Sequence, residues 1–190
     1  MKNNKTSILL ATGLILMAGA ARIMNHEMHL YNLAPVGALG LFSGAVLKDK
    51  RYAYLLPMLA LLIGDIYIQL FTSWQGFYGI SQLCVYVAMM VVTLLGTKMG
   101  QPRSLKVMGY SIAGSIIFFL ISNFGVWLNI ELSHVDPMHY GRGFGGLMTT
   151  YIMGIPFFKY TFAGDLAGSV ILFGAYYLLQ QAFSNKLQKA

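Results

Sequence analysis

Apolar positions along this chain come in long unbroken runs, without the alternation of a half-buried strand or the three-and-four spacing of a surface helix. The runs fall at residues 6–24, 30–47, 53–71, 79–98, 107–129 and 161–182. Each is near the roughly 20 helical residues needed to cross a hydrocarbon core of about 30 Å. The pattern predicts an all-α integral membrane protein, six transmembrane helices in a single domain over residues 1–190. The strictly apolar part of the second run begins only at Leu33, and Pro35 and Pro57 suit the first turns of the second and third helices. A further stretch, "FGGLMTTYIMGIPFF" at 144–158, reads as a short outer interfacial or re-entrant helix ended near Pro156.

Composition agrees with this solvent: 57% of the 190 residues are hydrophobic and 10% charged, with a mean hydropathy of +0.63, too oily for a soluble domain of this length. Charge then orients the bundle, because short cytoplasmic loops collect Lys and Arg. With the amino terminus inside, Lys2, Lys5, Lys48, Lys50, Arg51, Lys98, Arg103, Lys106, Lys186 and Lys189 face the cytoplasm. Arg22, Arg142 and Lys159 remain outside, so ten of the thirteen basic residues share one side. Letting 144–158 span would put the tail "SNKLQK" outside and spoil that asymmetry. The net charge of +7 therefore reflects membrane topology, and no basic face of a soluble domain is present for nucleic acid. The start "MKNNKTSILLATGLILMAGAA" mimics a secretory signal, but the charge count works only with the first helix retained.

Polar residues inside the spans are the candidates for chemistry. A carboxylate in the hydrocarbon region costs at least about 2.5 kcal/mol, so Asp65 and Asp165 need partners or water. Counted along their helices, both fall in the outer leaflet, at one level with Asn123, Trp127 and Arg22. Two readings follow: a polar pocket open to the outside, with Arg22 as counter-ion or as a clamp on an anionic substrate group, or polar glue that only fixes helix packing.

The outer loops carry His26 and His29 in "NHEMHLYN" and His134 and His139 in "SHVDPMHYGRG", beside Met28, Met138, Glu27 and Asp136. His26 and His29 are candidate metal ligands, although ordinary loop polarity is the simpler account of them and the spacing is no known signature. Cys84, the single cysteine, excludes an internal disulfide and suits a small packing position. Catalysis has no motif here. The Gly-x-Gly-Asp stretch of intramembrane aspartyl proteases fails at Leu62 and Phe162, and no phosphate loop, serine elbow or His-Glu-x-x-His helix occurs. The chain is expected not to be an enzyme, and its residues name no cofactor.

The stretches "APVGALGLFSGAVLKDKRYAYLLPMLALLIGD", "FFLISNFGVWL" and "GLMTTYIMGIPFFKYTFAGDLAGSVILFG" resemble a family of small uncharacterised bacterial membrane proteins over most of residues 32–176. That family in turn looks like the substrate-binding S components of energy-coupling factor vitamin transporters. The resemblance implies six helices with both termini in the cytoplasm, residence in the bacterial inner membrane, and an outward-facing pocket for a vitamin, another small molecule or a metal ion. It also implies a coupling subunit with ATPases as partner, docked where S components carry Ala-x-x-x-Ala in the first helix. Ser7 and Ala11 are the nearest equivalent here, and small-x-x-x-small still permits close helix approach.

Overall fold

A computed structural model describes residues 4–28, 33 and 35–188, without the side chains of 4–8, 10, 11, 18, 19, 22, 25, 26 and 183–188. The described chain is helical and carries no strand: α1 (Asn4–Glu27), α2 (Val36–Val46), α3 (Lys50–Phe71), α4 (Ile80–Lys98), α5 (Ser104–Ser133) and α6 (Gly143–Gln188). Four helices, Lys50–Phe71, Ile80–Lys98, Ser104–Ser133 and Gly143–Ala182, are long and apolar enough to cross a membrane. Their outward faces leave Ile63, Leu70, Leu83, Leu94, Ile152, Val170 and Ile171 exposed. Apolar surface of that extent suits lipid rather than water.

Five helices form a ring in which each touches the next, in the order α1, α3, α4, α5, α6 and back to α1, while α2 lies inside and touches all five. The sequence of α2 explains its place. Gly37, Ala38, Leu39, Gly40, Leu41, Phe42, Ser43 and Gly44 are buried without a break, so the helix is apolar on every side and has no face to offer water. Small residues bring its backbone against α4: a Cβ on Gly44 would sit 2.1 Å from the Thr93 carbonyl oxygen, and one on Gly96 would sit 2.3 Å from that of Leu41. This is the small-residue packing that lets membrane helices touch. Phe42 fills the remaining space edge-on to Phe173 and Tyr176, with ring centroids 5.2 and 5.6 Å away.

Three sequence expectations change. The second span, expected over 30–47, is helical only over Val36–Val46, and its 11 residues rise about 16 Å, near half of a hydrocarbon core. The segment 144–158 is no separate interfacial helix, since α6 runs unbroken from Gly143 through Pro156 to Gln188. Pro57 lies in the third turn of α3, not its first, because that helix starts at Lys50 behind an Asp49 side-chain cap. Proline at 57 removes the N–H that would bond the Ala53 carbonyl. Ser43 of α2 donates to that same oxygen at 2.6 Å, so a neighbouring side chain satisfies the freed group.

Candidate functional site

The first turn of a helix leaves N–H groups without intrahelical acceptors, and α2 has no capping side chain of its own at Pro35. Asp165 of α6 supplies one across the bundle. It accepts from the backbone N–H of Ala38 at 3.1 Å and from that of Gly37. Ser115 of α5 donates to its other oxygen at 2.8 Å. The carboxylate is fully buried, and a negative charge is favourable at a helix amino terminus. Glycine at 37 is required for this approach, since a Cβ there would stand 2.4 Å from Asp165 Oδ2. One turn further along, Ser169 donates to the Ser111 hydroxyl at 3.0 Å. Thus "SIAGS" at 111–115 and "DLAGS" at 165–169 face one another as a polar seam.

Asp65 belongs to a different layer. Gln82 and Tyr86 of α4 donate to its Oδ2 at 2.9 and 2.8 Å, and the residue is 2% exposed. Gln82 also donates to the Gly76 carbonyl at 3.2 Å, and Gln69 accepts from the Gly76 N–H at 3.0 Å. The pair folds the 72–79 turn down onto α3 and α4. Ser81, adjacent to Gln82, donates to Gly125 of α5 at 3.2 Å. Ser115 lies 125 − 115 = 10 residues deeper on α5, so the two aspartates differ in depth by roughly 15 Å. The expectation of one shared level is corrected: Asp65 stands by the 72–79 turn, while Asp165 stands at the start of α2, 165 − 143 = 22 residues into α6. The difference arises because the last helix starts at 143 and not at 161, which sets Asp165 five turns deeper.

Between these layers lies an open cleft of about 400 Å³, lined by α4 (Ser81, Val85), α5 (Phe118, Phe119, Ser122, Asn123, Val126), α6 (Gly154, Phe157, Phe158, Thr161) and Tyr78. Helical spacing shows which way it faces. Val85 is one turn before Met89, which packs in the core with α2. Ser115 is one turn below Phe118 and Phe119, and Asp165 is one turn beyond Thr161. The cleft therefore continues the interior of the ring towards the 72–79 and 134–142 turns, above the end of α2 and the Asp165–Ser115 pair. Asn123 holds its amide by donating to Phe119 O at 2.9 Å, and a Cβ on Gly154 would come within 2.5 Å of its Oδ1. Rings line the α5–α6 wall: Phe119 meets Phe158 at 4.9 Å and Tyr151 at 5.9 Å, and Phe158 meets Phe162 at 5.8 Å.

Among the described residues singled out as site candidates from sequence, only Asn123 lines the cleft. Trp127 points its indole N–H to Gly143 O at 2.9 Å, tying the ends of α5 and α6 together. Asp65 and Asp165 are bound into the bundle. The side chains of Arg22, His26, Ser7 and Ala11, and the whole of His29, lie outside the described residues. His134 and His139 occupy left-handed backbone positions of the 134–142 turn, with φ of 58° and 56°. Among the described residues no three His, Cys, Asp or Glu side chains group as a metal site. Sequence reasoning missed Gln82, Tyr86, Ser115 and the phenylalanine wall; the matched five-residue seams were a legible signal for Ser115.

These features define a helical membrane protein built as a ring around a half-length buried helix, with a cleft above it. The chain belongs to a family described as a family of unknown function, DUF6580, whose model matches residues 2–187. No curated protein and no solved structure matches it.

Proposed function

We propose that this protein captures a small molecule from the outer side of a bacterial cytoplasmic membrane, in the manner of an S component. The cleft carries the proposal: concave, walled by aromatic rings, and furnished with a few polar groups that fix orientation, it has the general character of a small-molecule site. In this reading the chain crosses six times, the second crossing being completed by the half-length α2, and both termini are cytoplasmic. The cleft then opens outward, and the seat of α2 below closes the inward path. Asp65 acts at one remove, since it fixes Gln82 and the turn that brings Tyr78 to the cleft. Transport requires an external motor. Docking of α1 on a coupling subunit with ATPases, through the face carrying Ser7 and Ala11, would provide it. Nothing in the reading calls for a reaction at the bound molecule.

Native mass spectrometry of protein released directly from membranes tests the proposal. The wild type should retain a small molecule that is absent from Gly154→Leu, whose side chain would occupy the space beside Asn123. Equal spectra for the two proteins would refute it. One observation favours a second reading, a scaffold that does not transport: no buried side-chain polar atom among the described residues lacks a hydrogen bond. Under that reading the cleft stays empty in both proteins.

A further inference from the structure

The chemistry of the cleft also limits what it takes, given that the cleft is a binding site as proposed above. Its described lining contains five aromatic rings, the hydroxyls of Ser81, Ser122 and Thr161, the Asn123 amide and no charged side chain. An anionic ligand would ordinarily seek the amino terminus of α2, the natural anion site of the region. That place is taken: the Asp165 carboxylate already accepts the Gly37 and Ala38 N–H groups, one turn beneath Thr161. We infer that the occupant is an uncharged, flat aromatic molecule, held between the phenylalanine faces and oriented by Asn123, and that the buried Asp165, one turn beneath the lining rather than part of it, turns anions away. Ring stacking supplies attraction without charge. The amide, whose Oδ1 accepts no bond from the described chain, supplies direction by accepting a donor on the ligand.

Two fluorescent probes of nearly equal shape make the test: neutral N-phenylnaphthylamine and its sulfonated, anionic counterpart anilinonaphthalene sulfonate. Both are titrated into Trp74→Phe protein in nanodiscs, which leaves Trp127, one turn above Asn123, as the single tryptophan donor. The neutral probe should quench Trp127 saturably at one site, and the anion should bind more weakly by about tenfold, the scale of one unit charge felt across a short, poorly screened distance. Asp165→Asn, which keeps an acceptor for Ala38, should close most of that gap by improving the anion alone. In the wild type the gap should persist at high salt, because a buried charge is screened little; this measurement stands even if the variant does not fold. Equal binding of both probes by the wild type, collapse of the gap in salt, or an unchanged gap in folded Asp165→Asn overturns the selectivity while leaving the cleft a binding site. Quenching that Gly154→Leu does not reduce, or no saturable quenching at all, overturns both.

Discussion

At the scale of single residues, the molecule places its polar groups by local necessity. Pro57 leaves a carbonyl without its helical donor, and Ser43 answers it from another helix. Replacing Ser43 by Ala should cost about 1–3 kcal/mol, the penalty of a buried acceptor left without a partner. The same change in a Pro57→Ala background should cost much less, because an alanine at that position restores an N–H to bond the Ala53 carbonyl. Thermal or denaturant unfolding of the four proteins of this cycle checks the coupling; equal costs in both backgrounds would remove the link. Asp65 and Asp165 were recognisable in the sequence as residues needing partners, because a carboxylate in an apolar run cannot stand alone. Their partners were not recognisable. Gln82, Tyr86 and Ser115 lie on other helices, and helix rotation, which decides what meets what, is absent from a hydropathy profile.

At the scale of elements, the boundaries that sequence reading missed share one cause. Apolar runs are similar whether lipid or protein surrounds them, so α2 reads as a span although its surroundings are other helices. Pro156 reads as an end, although a membrane helix can continue through proline. The α5–α6 turn shows the opposite case, a polar element whose structure follows from its own residues. Asp136 accepts from Gly141 N at 2.7 Å and from Tyr140 N at 3.0 Å, while Arg142 pairs with Glu131 at 3.4 Å. The Gly141 N–H foremost, then the Tyr140 N–H and the charge on His139, hold the Asp136 carboxyl below its ordinary value of 3.8. A depressed pKa in the folded turn means stabilisation that is full above the ordinary value and is lost as pH falls through the folded one. Hydrogen exchange at Tyr140 and Gly141 should therefore stay protected near neutral pH and lose protection in acid below about 3.8; in Asp136→Asn the acid-dependent step should vanish. A step of the same size in that variant would assign it to another group.

At the scale of the whole molecule, the ring around α2 divides the protein into two halves. Towards the 47–49 and 99–103 turns the interior is filled by α2 and its glycine contacts; towards the 72–79 and 134–142 turns it opens into the cleft. Helical class and membrane character were legible from the runs alone. The cleft was not, because Phe118, Phe119, Phe157 and Phe158 are indistinguishable in sequence from phenylalanines that face lipid. In the function proposed above, this cleft is reached from outside the cell. Ser122→Cys and Thr161→Cys, each in a Cys84→Ala protein, should react with a membrane-impermeant maleimide applied to intact spheroplasts, and N-phenylnaphthylamine should slow that reaction. Cysteine introduced at position 187 should react only after the membrane is opened. Labelling at 122 and 161 that requires an opened membrane, or labelling of 187 from outside, would contradict the account.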